Sequence, residues 1–342
     1  MSAPEMGGDL RVGVVGAGIM GADHIARIAK RTSGAVVSAV VDSDQGRATA
    51  AAAQAPGTAV FARVEDAIES GAVDAVLIAV PGQFHEPVLV PALEARLPVL
   101  CEKPLTPDST SAMRVLELEQ KLDRPHIQVG FMRRFDAEYS ALRDLVASQD
   151  AGALLMVRGV HRNPSVPESY MQSMMITDSV VHEIDVVPWI AGSTIKTIEV
   201  KYPRRNSLAP ERLREPILVI MELENGVLVD VELSASAQFG YQVATEAVFE
   251  RGIARIGQPA GLQQWRAGSF TVRDHDSYTT RFAAAYDTQV QRWVDAVRNG
   301  SLVDGPNAWD GYVVALACEA GVRALDGGVI PVEAAIRPDF YA

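Results

Sequence analysis

At 342 residues the chain is long for one domain and sufficient for two, and its 48% hydrophobic content can fill large cores. A formal net charge of −12 argues against nucleic-acid binding, which needs a basic stripe; the short basic run around Arg204 and Arg205 reads as solvated loop charge. The two cysteines, Cys101 and Cys318, lie far apart in apolar surroundings, which excludes a disulfide framework or a thiolate metal site and suits a reducing compartment. No signal-peptide pattern opens the chain, and no apolar run approaches the ~20 residues of a membrane span. A cytoplasmic protein without nucleic-acid or membrane partners is expected.

"LRVGVVGAGIMGADHIARIAK" reads as a buried strand through Val12, Val14 and Val15, a glycine turn, and a helix. In Gly16-x-Gly18-x-x-Gly21 each glycine answers a different steric demand. The first allows a tight turn, the second lets backbone approach a pyrophosphate closely, and the third packs helix tightly on strand. The helix start, with Ile19 and Met20, aims its free N–H groups at those phosphates. Alone, the motif also fits an ordinary glycine-rich turn. The next strand, "AVVSAVVD", strengthens the nucleotide reading because it ends in Asp42, about 20 residues past the last glycine. An acid there takes hydrogen bonds from the ribose hydroxyls and repels a 2′-phosphate. Ser43 and Asp44 follow it instead of an arginine, so NAD is expected over NADP.

Alternation continues with a helix near 44–54, a strand near 58–61, a helix near 64–70 and a strand at 74–80. That strand ends in "PGQFH", which brings Pro81 and His85 to the strand ends where a doubly wound sheet binds ligands. The short strand in "PVLCEKPLT" brings Glu102 and Lys103 to the same edge. Residues 1–130 are therefore read as an α/β Rossmann domain holding NAD through Gly16, Gly18, Ile19, Met20, Gly21, Asp42, Pro81, His85, Glu102 and Lys103, and 131–342 as a second domain. Lys103 is conspicuous in a chain rich in arginine. Its ammonium can hydrogen-bond a substrate oxygen and stabilise charge growing there, although a surface-loop lysine beside a helix cap would look the same.

The segment "ITDSVVHEIDVVPWIAG" (176–192) is apolar enough for a buried helix, yet it carries Asp178, His182, Glu183 and Asp185. Positions 178, 182 and 185 share one face of an α-helix. Such a polar stripe serves a metal, a satisfied buried network or catalysis. Three ligands from one helix face reach a single ion awkwardly, so no metal is expected.

Taken together, "GVVGAGIMG", "PGQFH" and "CEKPLT" resemble the glucose-fructose oxidoreductase / inositol dehydrogenase / rhizopine-catabolism family. "GFMRRFD", "GVHRNPSVPESY", "ITDSVVHEIDV", "QFGYQV", "RFAAAYD" and "GPNAWDGY" are similar to its inositol-oxidising branch. The resemblance covers nearly the whole chain. It implies an α+β C-terminal domain with a large open, mostly antiparallel sheet, which commonly joins subunits into a homotetramer. It further implies NAD-dependent oxidation of myo-inositol at C2 to 2-keto-myo-inositol (scyllo-inosose), with Lys103, Asp178 and His182 catalytic. Implied substrate contacts are Lys103, Arg133, His161, Asp178, His182, Asp185, Tyr241 and Tyr286. Pro188 and Tyr278 are small departures from the pattern, and Pro188 either bends or ends the 176–192 helix.

The residue types suit that chemistry. Oxidising a secondary alcohol removes a hydride from carbon and a proton from oxygen, and the nicotinamide takes only the hydride. Histidine, with an ordinary pKa of ~6.5, is suited to accept the proton near neutral pH. Asp178 can orient His182 or bind a neighbouring hydroxyl. A polyol also needs fixed polar partners. Arg133, His161 and Tyr241 can supply them, against the plainer alternatives of a packed His161 and a core or interface Tyr241. Arg134 and Asp136 read equally as a surface ion pair, and His24 and His85 as residues packed near the cofactor. Rival readings are another cyclic polyol or sugar as substrate (scyllo-inositol, D-chiro-inositol, an aldose C1 hydroxyl), an NAD-dependent glycosidase on the same scaffold, and a redox-silent NAD sensor.

Overall fold

The computed structural model describes residues 8–259, 262–333 and 335–342. Its first sheet is parallel and runs in the order β3-β2-β1-β4-β5-β6. The strands are β1 (Leu10–Val15), β2 (Ala35–Val41), β3 (Ala59–Phe61), β4 (Ala75–Ile78), β5 (Val99–Glu102) and β6 (Ile127–Gly130). β4, β5 and β6 are buried at every residue, as strands covered on both faces must be. The connecting helices are α1 (Ile19–Arg31), α2 (Gln45–Ala52), α3 (Val64–Glu69), α4 (His85–Glu94) and α5 (Ser109–Glu119). Asp44 and Asp108 cap α2 and α5, accepting from the N–H groups of Arg47 and Ser111. Strand order reverses between β1 and β4, which opens a crevice at their C-terminal ends, next to the glycine turn.

The second sheet is mixed and mostly antiparallel, in the order β12-β11-β7-β10-β9-β8-β15, with only β7 and β10 paired parallel. Chain order runs α6 (Ala137–Ser148), β7 (Leu154–Arg162), a π-helical turn (Met175–Val180), α7 (Val181–Ala191), β8 (Ile195–Lys201), β9 (Ile217–Leu223), β10 (Leu228–Ser234), β11 (Gln242–Phe249) and β12 (Gly252–Ile256). Then come a hairpin of β13 (Gln263–Arg266) and β14 (Ser269–Val272), α8 (Tyr278–Arg281), α9 (Ala283–Arg298), α10 (Ala308–Ala324) and β15 (Val329–Pro331). Burial alternates residue by residue along β9, β10 and β11, the signature of a sheet covered on one face. α7 and the π turn pack on the covered face, against β7 and β10. On the other face Arg158 lies near Asp230 and Glu246, and Arg162 is paired with Glu232.

The chain divides into two compact units, but the division is not a single cut. The first unit runs up to Met132 and includes Tyr286–Ala315 and Ala335–Ala342; the second holds Arg133–Ala285 and the segment from Leu316. The compact units thus differ from an expected second domain over 131–342 by placing Tyr286–Ala315 with the first unit. The physical reason is packing: Val290, Trp293, Val294 and Val297 of α9 belong to the same core as Leu10 and Val12 of β1 and Ile25 of α1. Trp293 is fully buried there. The C-terminus is tied to the same unit by Glu119, whose carboxylate accepts from the Tyr341 hydroxyl at 2.7 Å and from the N–H groups of His126 and Ile127.

Candidate functional site

The first unit carries the glycine turn in the form a nucleotide requires. Gly16 has φ +97°, and a Cβ there would lie 2.7 Å from the Ala79 carbonyl. A Cβ on Gly21 would lie 1.7 Å from the Gly16 carbonyl oxygen, so α1 can approach the turn only without one. Gly18 is different: a Cβ there would meet no protein atom within 4 Å. It is the N-cap of α1 with no side-chain cap, and it leaves the helix's first N–H groups open to an anion. Ile19, 82% exposed at this start, offers an apolar face beside it, while Met20 is partly buried.

Asp42 stands at the end of β2 with a carboxylate crowded by donors. Oδ2 accepts from the Ala17 N–H at 2.8 Å and from Arg47 Nε at 3.1 Å. Oδ1 accepts from the Asp44 N–H at 2.9 Å and from Arg47 Nη2 at 2.8 Å. Burial alone would raise its pKa, but the Arg47 hydrogen bonds and the two backbone N–H groups hold it below the ordinary carboxylate range. Asp42→Ala is expected to weaken NADH binding by roughly tenfold or more, the worth of charged hydrogen bonds to a ribose diol. It should also reduce discrimination against NADPH. A fluorescence titration with both nucleotides checks this, and an unchanged preference would contradict the assignment.

At the C-terminal ends of β4 and β5 the expected residues separate into two kinds. Pro81 is exposed at the start of the turn Gly82–Phe84, and Lys103 follows β5 directly, half-buried, through a cis Lys103–Pro104 bond. His85 is fully buried instead: Nε2 lies 2.8 Å from the Val80 carbonyl and Nδ1 2.7 Å from the Pro104 carbonyl. Burial lowers its pKa while the two carbonyls oppose that shift, and a neutral ring donates to only one of them, so it packs between these two loops from beneath. Glu102 accepts from His24 Nε2 at 2.8 Å, and its other oxygen lies 3.3 Å from the Lys103 N–H. Because Arg27 can only donate to His24 Nδ1, the proton of the ring sits on Nε2. Arg27 continues the chain to Asp287 at 2.7 Å. Tyr286, expected near substrate, lies edge-on to His24 and beneath the Arg27 guanidinium, in the first unit.

The second unit gathers His161, His182, Arg133 and Tyr241. The stripe of residues 178, 182 and 185 is not on one continuous α-helix, because Asp178 lies in the π turn and α7 begins at Val181. A π turn alters the angular step between side chains and is frequent at functional sites. Pro188 neither ends the helix nor bounds it: α7 continues to Ala191 and stops at Gly192 in the left-handed conformation. His182 lies one ring away from His161, with centroids 6.4 Å apart, and Tyr241 meets His161 edge-on at 6.5 Å. Asp178 is half-buried, and its neighbour Ser179 is bonded to the Tyr170 hydroxyl at 2.7 Å.

Two expected substrate contacts are buried against protein partners. Arg133 is 1% exposed, with Nη1 on Glu183 and Nη2 3.3 Å from His161 Nδ1, so it stands behind His161. Asp185, 2% exposed, is held by Arg134 through Nε at 3.0 Å and Nη2 at 2.5 Å. Asp136 caps α6 and accepts from Arg281 at 2.9 Å. Glu183 is the residue that motif reasoning leaves without a role. It bonds Arg133 and lies 3.2 Å from His161 Nδ1; burial would raise its pKa, but these two neighbours bring it down to about 2. Among the described residues no group of three or more His, Cys, Asp or Glu side chains could hold a metal ion, and no helix is long and apolar enough to cross a membrane.

A doubly wound sheet with an open glycine turn and an acid at the end of its second strand defines a dinucleotide-binding domain. Residues 10–131 match the oxidoreductase family, NAD-binding Rossmann fold, and residues 139–255 match the GFO/IDH/MocA C-terminal domain. The chain belongs to this family, the Gfo/Idh/MocA oxidoreductases, and uses NAD. It is 72% identical over 337 residues to an inositol 2-dehydrogenase of Corynebacterium glutamicum (strain ATCC 13032), covering 98% of this chain and all of that one. It is also 72% identical over 335 residues to an inositol 2-dehydrogenase of Leifsonia xyli subsp. xyli, covering 98% of each. Among solved structures, myo-inositol dehydrogenase from Lactobacillus casei in complex with NAD(H) and myo-inositol superposes with a TM-score of 0.95 at 32% identity. That match covers 98% of this chain and 100% of that one.

Proposed function

We propose that the protein oxidises myo-inositol at C2 to 2-keto-myo-inositol, with NAD as the hydride acceptor. The near-full-length identity to two inositol 2-dehydrogenases supports this reading most strongly. A cluster of polar side chains supports it as well: the His161 ring lies within 6.5 Å of the His182 and Tyr241 rings, and polyol recognition needs such fixed polar groups.

The C2 carbon loses a hydride and its hydroxyl loses a proton, which His182 accepts. Bound NAD supplies the acceptor for the hydride. Asp178 orients His182 or favours its protonated form, and the Lys103 ammonium donates to the substrate oxygen as negative charge grows on it. Glu102, fixed by His24, holds the main chain that carries Lys103. Hydroxyl contacts are assigned to Lys103, His161, Asp178, His182 and Tyr241. Arg133 and Asp185 act through His161 and Arg134. Cytoplasmic location and a homotetramer built on the open sheet are part of the same proposal.

NADH formation with a panel of myo-inositol, scyllo-inositol, D-chiro-inositol and glucose tests it. The expected result is the highest kcat/KM with myo-inositol. No NADH with any of them would sink the dehydrogenase reading, and preference for another member would reassign the substrate.

A further inference from the structure

We propose that Arg47 competes with the adenosine ribose for Asp42 and, once displaced, receives a 2′-phosphate, so that this one side chain sets both NAD affinity and the strictness of NAD over NADP. A carboxylate offers about four acceptor positions. In Asp42 all four are taken: two by the N–H groups of Ala17 and Asp44, two by the Arg47 guanidinium.

The backbone donors belong to the fold. Ala17 lies inside the glycine turn, and Asp44 is the N-cap of α2, its side chain accepting from the Arg47 N–H at 3.0 Å. Gln45 holds the Asp42 carbonyl at 2.7 Å, so the acid's main chain is fixed as well. Only the guanidinium can leave. Its side chain is 50% exposed against 7% for Asp42, so it covers the carboxylate from the solvent side. A ribose diol needs two acceptor positions, and the two that Arg47 holds are the two that can be freed.

The same geometry bears on NADP. A 2′-phosphate placed against Asp42 meets like charge, which an unencumbered acid would reject strongly. Here a cation is tethered one helical turn from the acid and, when displaced, remains within a side chain's reach to pair with the phosphate. The motif inspects only the residues directly after the acid, where Ser43 and Asp44 stand; the arginine arrives from the first turn of α2 instead.

The inference rests on NAD as the cofactor and is independent of the substrate, so its test uses binding alone. NADH fluorescence titrations on the full chain compare the unsubstituted protein with Arg47→Gln and Arg47→Lys, with NADPH as competitor. Arg47→Gln is expected to tighten NADH by about two- to fivefold, the range an exposed ion pair spans. It should weaken NADPH by about tenfold, and Arg47→Lys, which keeps charge but loses the bidentate fork, should fall between. NADH binding that is unchanged or weaker in Arg47→Gln overturns the competition. Failure of NADPH to displace NADH from the unsubstituted protein, or equal displacement from both proteins, overturns the phosphate role.

Discussion

Replacing His182 with alanine is expected to lower kcat with myo-inositol by roughly 10²–10⁴, the usual worth of a positioned general base, while the Kd for NADH moves by less than about twofold. The asymmetry follows from where the parts lie. The glycine turn and Asp42 belong to the first unit, and His182 stands in α7 of the second, beside His161. Stopped turnover assays and NADH fluorescence titration separate the two effects. A parallel loss of both would mean that His182 supports the structure and that proton removal belongs to another group. Asp178→Asn gives a graded companion: if Asp178 orients the imidazole, the loss should be smaller than that of His182→Ala and should appear in kcat, with KM little changed.

The nucleotide-binding half is legible because its constraints are local. Gly16 and Gly21 answer steric demands within one turn, Gly18 leaves the helix start open, and Asp42 follows at a spacing set by one helix and one strand. The return of α9 to that half is not legible. An amphipathic helix reports that it has an apolar face but not which core receives it, and only the packing of Trp293 against β1 and α1 decides. The π turn is hidden for a related reason. Over a single turn, α and π spacing place much the same residues near each other, so Asp178 and His182 look co-facial on either.

Side-chain pairings across the second unit are the least legible. Arg133 and Arg134 are adjacent and chemically identical, yet one is buried on Glu183 and the other holds Asp185. Strand and helix geometry, invisible in "FMRRFD", sends neighbouring side chains in different directions. A signal for Glu183 does exist: it sits in the largely apolar run "VVHEIDVVPWI", where an unpaired charge is too costly to keep, although Arg133, next to Arg134 and near Asp136, gives none of its own.

That pairing carries the largest expected effect on stability. Arg133 and Glu183 are both essentially buried, so removing one partner strands the other without solvent. Glu183→Gln is expected to lose about 3–5 kcal/mol in urea unfolding, and the double variant Arg133→Met with Glu183→Met to be more stable than either single one. A loss under about 0.5 kcal/mol for Glu183→Gln would show that the pair is solvated in solution. The pH dependence gives an independent check. Burial would raise the Glu183 pKa, but Arg133 and His161 hold it at about 2, against an ordinary value of 4.5. The folded state therefore binds this proton less readily than the unfolded chain. The stabilisation is complete above pH 4.5 and is lost as pH falls from there toward about 2. Glu183→Gln has no such proton to take up, so the stability gap between it and the unsubstituted protein should narrow across that window. A gap that stays constant down to pH 2 would place the origin of the stability loss outside the ionisation of Glu183.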